Sequence, residues 1–260
     1  MYPRLLYRGV LAALLSALLL ALPVPVGRAA GNVPPPNVSP LIVDGDAATE
    51  PYPWMASLQV GAGNHFCGAV LVHPRWVATA GHCIQRVTEF QVRIGSVHRS
   101  SGGEVANSAS FAVLPGDFVL VQLDRAVSAT PIPRVPARPA VGSGLRLLGW
   151  GQTCASWWGC QPPLPEDLRQ LDTTLVDAAR CPSGRITPAS EICVSNVGGK
   201  GACYGDSGGP AIQKVDGRWA VVGLTSRSGV NNIDCATGPA IYTDIVAYEQ
   251  YIRRYAEGQE

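Results

Sequence analysis

The chain has 260 residues, 47% hydrophobic and 15% charged, which excludes a disordered polyelectrolyte and leaves room for one large domain or two small ones with a sizeable core. Its formal net charge is +1; three of the 20 basic residues (Arg4, Arg8, Arg28) fall in the first 41 positions, which hold no acid, so the remainder carries 17 basic against 19 acidic residues and no basic excess for nucleic acid. Glycine (29) and proline (22) make up about a fifth of the chain, a share suited to many turns between short strands rather than to a helical bundle.

Met1 to Val10 carries Arg4 and Arg8, and Leu11 to Leu22 is an almost unbroken run of Leu and Ala. That run stops at Pro23 and Pro25, well short of the ~20 apolar residues a spanning helix needs, so 1-29 reads as a secretory signal cut after Ala29. Residues 30-41 are proline-rich without hydrophobic periodicity and read as an extended pro-segment. From Ile42 the pattern changes to short β-branched or alternating runs: Ala69-Val70-Leu71-Val72, Trp76-Val77-Ala78-Thr79, Phe118-Val119-Leu120-Val121 and Ala220-Val221-Val222-Gly223-Leu224. Bounded by Gly, Pro, Asn and Ser, they predict an antiparallel all-β architecture rather than alternating βαβ units. Pro131, Pro133, Pro136 and Pro139 read as a connector between two β modules. Ile245, Tyr248, Ile252 and Tyr255 recur every three or four residues and predict a C-terminal helix that covers the end of a module.

All eight cysteines lie beyond the signal, an even number in a chain bound for an oxidising compartment, so four disulfides are expected, with spacing alone leaving every pairing open. There is no Cys-x-x-Cys, and His65, His73, His82 and His98 show no His-x-x-x-His spacing, so no metal site is expected. The strongest chemical signal is Gly205-Asp206-Ser207-Gly208-Gly209-Pro210. Glycines flanking a serine allow a tight turn whose N–H groups converge, as an oxyanion site requires; an ordinary turn fits the same string. The α/β-hydrolase elbow also fits locally, but its base follows the serine, and no histidine follows His98. The base must then lie upstream. His82 ends an apolar run in Thr79-Ala80-Gly81-His82-Cys83, where a purely structural histidine is the alternative. Asp117 opens an apolar run and is costly to bury without a partner, whereas Asp124 closes that run as a turn acid.

With His, Asp and Ser in that order, the chain resembles the chymotrypsin-like serine peptidases from Ile42 to its C-terminal helix. Ile42-Val43-Asp44-Gly45 is similar to that family's mature N-terminus, Cys67-Gly68-Ala69 with Trp76 to Cys83 to its histidine region, and Asp117 to Leu123 to its aspartate strand. Gly149-Trp150-Gly151 is similar to its inter-barrel marker, and Pro239 to Thr243 to its last strand. The resemblance implies an all-β fold of two packed six-stranded antiparallel β-barrels with a C-terminal helix: peptidase domain 42-260, barrel 1 about 42-135, barrel 2 about 136-243, helix 244-256. It implies Ser207 as nucleophile, His82 as general base and acid, Asp117 as orienting partner, and the N–H groups of Gly205 and Ser207 as oxyanion hole. Ser226, Arg227 and Ser228 would offer backbone to an extended peptide, with Gly201 at the pocket base and Ser228 and Ala240 in its walls. Implied disulfides are Cys67–Cys83, Cys181–Cys193 and Cys203–Cys235, leaving Cys154 with Cys160 around Trp157 and Trp158. Cleavage between Leu41 and Ile42 would free an ammonium to pair with Asp206.

Departures from the family pattern shape the specificity expected. Gly201 stands where trypsin-like members have Asp, and Ser228 and Ala240 where Gly is usual, which implies a neutral pocket for Leu, Met or Phe; Asp234 could restore a preference for basic residues. Arg227 replaces an aromatic residue of the cleft, so it either favours acidic substrate residues or is solvated at the cleft edge. The resemblance implies polypeptide substrates and protein inhibitors as partners. No cofactor or metal, no nucleic-acid partner and no membrane contact after signal removal are expected, and the protein is expected to be a secreted, extracellular monomer. An inactive binding homologue and an esterase are the alternatives. Eighteen arginines against two lysines hint at a high-GC bacterial source.

Overall fold

The apolar runs form strands, and the strands close on themselves. A computed structural model describes residues 42–85, 87, 89–156, 164–196 and 198–258; the expected signal, the pro-segment, Leu41, Trp157, Trp158 and Cys160 lie outside the described residues. After the two-residue strand β1 (Asp46–Ala47), the first barrel contains β2 (Met55–Val60), β3 (Asn64–His73), β4 (Trp76–Thr79), β5 (Gln91–Ile94), β6 (Glu104–Leu114) and β7 (Phe118–Leu123). These pair antiparallel in the closed order β2-β3-β4-β7-β6-β5. The second contains β8 (Gly144–Gly149), β9 (Arg169–Val176), β10 (Glu191–Val194), β11 (Pro210–Val215), β12 (Arg218–Ser228) and β13 (Ala240–Asp244). Its order β9-β10-β13-β12-β11-β8 is closed by a β9–β8 pairing, and β1 adds to the outside of β9. Closure leaves neither barrel with a long open edge, which removes the usual liability of an all-β chain.

Each run singled out in the sequence lies in a strand, and Trp76–Thr79 is β4 itself. Strand β7 is buried along almost its whole length because both faces are covered; Phe118 stacks on Tyr248 at 4.1 Å between ring centroids. The proline connector bridges the barrels: Ile132 N–H donates to Leu71, Val135 N–H to Val221, and Val221 N–H to Pro133. Missing N–H groups make prolines poor interior ladder members, so this stretch docks on a barrel without becoming a strand of it.

The C-terminal segment departs from the expected single helix. Ile245–Tyr248 is a 3₁₀ turn, and only Glu249–Ala256 is α-helix, α1. The tighter turn shifts the phase of the helical residues after it. Ile245, Tyr248 and Ile252 are buried as expected, but Ala256 takes the inward place assigned to Tyr255, which is 44% exposed.

The disulfides Cys67–Cys83, Cys181–Cys193 and Cys203–Cys235 form as the family resemblance implies. Cys154 is also disulfide-bonded, and Cys160, its expected partner, lies outside the described residues. Cys67–Cys83 spans 16 residues and ties β3 to the turn that carries His82. Replacing both cysteines by serine is expected to cost about 3 kcal/mol by denaturant unfolding. An unchanged unfolding free energy would contradict a stabilising role for this bridge.

Candidate active site

Strand β4 ends at Thr79, and a 3₁₀ turn, Gly81–Ile84, carries His82 to the rim of the first barrel. Asp117 precedes β7, which pairs with β4, so the same ladder that zips Trp76–Thr79 to Val119–Gln122 brings the two side chains together. Asp117 Oδ1 accepts the His82 N–H at 2.8 Å, and Oδ2 lies 2.8 Å from His82 Nδ1. A carboxylate only accepts, so Nδ1 carries a proton directed at Asp117, and Nε2 is the ring nitrogen that the carboxylate does not bind. Ser226 Oγ donates to Oδ2 as well, at 2.6 Å, from the second barrel. Burial pushes Asp117 upward, but these donors outweigh it and hold the carboxyl below the ordinary aspartate value.

Ser226 reaches Asp117 because β12 carries an irregularity: its register against β13 shifts between Thr225 and Arg227. A bulge of this kind re-aims a side chain that a regular ladder would send elsewhere.

Ser207 stands on a turn in which packing demands glycine. At Gly208, with φ of +74°, a Cβ would lie 2.0 Å from Thr79 Oγ1; at Gly68 it would lie 2.8 Å from the Gly209 Cα. Gly68 N–H donates to the Ser207 carbonyl and Gly208 N–H to that of Thr225, which fixes the turn between the barrels. Beneath it Asp206 is 2% exposed, its carboxylate accepting from Gly151 N–H and Cys203 N–H. Burial pushes it up to about 7 despite those two donors. Gly205, at φ +96°, presents its carbonyl to His65 Nε2 at 2.9 Å.

His82, Gly205, Ser207, Ser226, Arg227, Ser228 and Ala240 line one cleft of about 760 Å³. Ser207 and His82 both line it with no hydrogen bond between their side chains, a contact that such sites often close only with substrate. Asp234 also lies in the wall, whereas buried Gly201 sits behind the lining, packed near Ala236 and bridged to Val43. Ile42 and Val43 are both buried.

Arg227 keeps its place at the cleft edge, but its hydrogen bonds are made within the protein. Its Nε donates to Gly184 O, Nη1 to Glu191 Oε1 and Ser226 Oγ, and Nη2 to Glu191 Oε2 and Arg185 O. A guanidinium has five donors, and all five are engaged within the protein, so none is left over for an acidic substrate residue, while the side chain stays 36% exposed in the cleft wall.

Two further residues bear on the site. Glu191, on β10, is buried beneath Arg227, and an acid opening the apolar run Glu191-Ile192-Cys193-Val194 is the same signal that marked Asp117. His65 gave no such signal. Its Nε2 must donate to the Gly205 carbonyl, so Nδ1 accepts from Ser57 Oγ at 2.8 Å, and Ser57 in turn accepts from Gln59 Nε2. Burial holds this imidazole down at about 4, hence neutral at physiological pH.

This arrangement fits acyl transfer: an imidazole oriented by a carboxylate, and a hydroxyl on a glycine turn in the same cleft. The family model described as Trypsin matches residues 42–252. The chain is 31% identical over 257 residues to trypsin alpha-4 of Lucilia cuprina, covering 90% of this chain and 95% of that one. It is also 31% identical to human chymotrypsin-like elastase family member 3A, covering 92% and 96%. The solved structure of neuropsin, a serine protease expressed in the limbic system of mouse brain, superposes with a TM-score of 0.67 at 27% identity, covering 78% of this chain and 93% of that one. The chain belongs to the trypsin family of serine endopeptidases, whose substrates are polypeptides. These relatives are animal proteins and give no support to the bacterial source hinted at by composition.

Because the His65 value is lowered on folding, the unfolded chain takes up that proton first as pH falls. Stability is therefore lost between about pH 6.5 and 4, by roughly 3 kcal/mol in all. Denaturant unfolding of wild type and His65→Gln at pH 7 and pH 4 should show the larger acid loss in wild type; equal losses would contradict the assignment.

Proposed function

We propose that this chain is a secreted, monomeric serine endopeptidase made as a precursor, with Ser207 as nucleophile, His82 as base and acid, and Asp117 as orienting partner. The observation that carries this reading is the three-donor grip on Asp117, which fixes the His82 ring with Nδ1 towards the carboxylate, in the cleft that Ser207 shares. His82 takes the Ser207 proton as Oγ attacks the peptide carbonyl, then hands it to the leaving amine. An acyl-enzyme remains, which water releases by the same steps in reverse. The Gly205 and Ser207 N–H groups stabilise the oxyanion, each worth roughly 3 to 4 kcal/mol in sites of this kind. The β12 backbone at Ser226–Ser228 pairs an extended peptide by strand addition.

Apolar side chains before the scissile bond are favoured, since no acid occupies position 201 and Ala240 and Ala202 line the cleft. Asp234 in the same wall supports a second reading, a preference for basic residues. Protein beginning at Ile42, given a diverse peptide mixture and read by mass spectrometry, should cut after Leu, Met or Phe, and Ser207→Ala should cut nothing. Cuts after Arg or Lys would favour the second reading.

Activation is assigned to cleavage between Leu41 and Ile42, followed by pairing of the new ammonium with Asp206; Leu41 fits the apolar preference and supports self-processing. Without that ammonium, Asp206 is raised on folding from 3.8 to about 7, so its contribution is present below about pH 4 and lost as pH rises towards 7. The thermal-unfolding gap between Ser207→Ala protein starting at Ile42 and the uncleaved Ser207→Ala precursor should widen from pH 4 to 7. A gap independent of pH would contradict the pairing.

A further inference from the structure

The triad does not end at Asp117. Ser226 Oγ donates to Asp117 Oδ2 at 2.6 Å and accepts from Arg227 Nη1 at 3.1 Å, while Arg227 holds Glu191 by two parallel bonds of 2.6 and 2.9 Å. A guanidinium cannot accept, so the single Ser226 proton has no choice but to point at Asp117. Glu191 is held on its other side by the Thr187 N–H at 2.6 Å. The result is one continuous line, Glu191–Arg227–Ser226–Asp117–His82, running from β10 through β12 of the second barrel into the first.

From this line we infer that the Glu191–Arg227 ion pair is a positioning device for the Asp117–His82 pair, setting through the Ser226 hydroxyl how readily the imidazole takes a proton. The inference rests on the assignment of His82 as the base. Arg227 is the nearer of the two charges along the line, so it stabilises the Asp117 carboxylate and opposes a second positive charge on His82. Glu191 tempers that effect by half-neutralising the guanidinium. The guanidinium is also held by the Gly184 and Arg185 carbonyls, which fixes it against Glu191. Tyr248, the other titratable group that senses both Asp117 and Glu191, is raised by burial and stays neutral over the working range. The Cys67–Cys83 disulfide beside His82 does not titrate.

The two charges therefore act on His82 with opposite sign, and this separates positioning from simple support of the fold. Glu191→Gln leaves an untempered cation and should move the acid limb of the kcat/KM profile to lower pH. Glu191→Gln combined with Arg227→Met removes both charges and should move it to higher pH. Each shift should be about 0.5 unit, or about threefold in kcat/KM below the limb. Exchanging a buried pair for neutral groups of similar volume is often tolerated, and Glu191→Gln alone keeps an acceptor for Thr187, so at least one variant remains measurable. In a Ser226→Ala background both shifts should shrink.

The test is a pH series of amide hydrolysis by these variants as protein starting at Ile42, with wild type and Ser207→Ala alongside. Limbs that do not move, that move in the same direction, or that move undiminished without the Ser226 hydroxyl would overturn the inference. A wild type that does not turn over, or a Ser207→Ala that does, would instead overturn the assignment on which it rests.

Discussion

Everything at the site depends on a carboxylate that the fold only half buries. Asp117 would be pushed towards its neutral form by leaving water, and a neutral acid could not hold the imidazole in one tautomer. Two donors from His82 and one from Ser226 prevent this, and they come from both barrels. The barrels are therefore joined at the site by chemistry as well as by packing. The bulge in β12 and the pairing of β4 with β7 are the backbone features that bring those donors to one carboxyl.

The serine side is governed by space. A Cβ at Gly149 or Gly151 would fall inside the Asp206 carboxyl, and one at Gly208 would strike Thr79 and the Gly68 carbonyl. Glycine at these positions allows a buried acid to be gripped by backbone N–H groups, and that grip curls the chain so that Gly205 and Ser207 face the cleft. His65 completes the arrangement from the first barrel by fixing the Gly205 carbonyl. Two buried ionisable groups, Asp206 and His65, thus flank the same short segment, and both are held towards their neutral forms by desolvation.

Much of this was legible in the sequence because it leaves local marks. Apolar runs became strands, and an acid opening such a run marked Asp117. Pairing at long range left no such mark. Arg227 carries no local sign that its partner is Glu191, 36 positions earlier, and only the structure shows that its five donors are spent within the protein. His65 and Ser57 are polar residues on alternating strands, and nothing in their neighbourhood distinguishes a buried hydrogen-bonded histidine from a solvated one. The exposed Tyr255 shows the same limit at short range, since one 3₁₀ turn is enough to rotate the helix away from the face that its periodicity implies.

The most direct measurement is the mass of protein starting at Ile42 after exposure to a phosphonylating reagent, with the modified residue located by fragmentation, in wild type and in His82→Ala. A single adduct on Ser207 in wild type, formed at least about a hundredfold more slowly without His82, is the result this account predicts. Equal labelling in the two proteins, or an adduct on any residue other than Ser207, would contradict it.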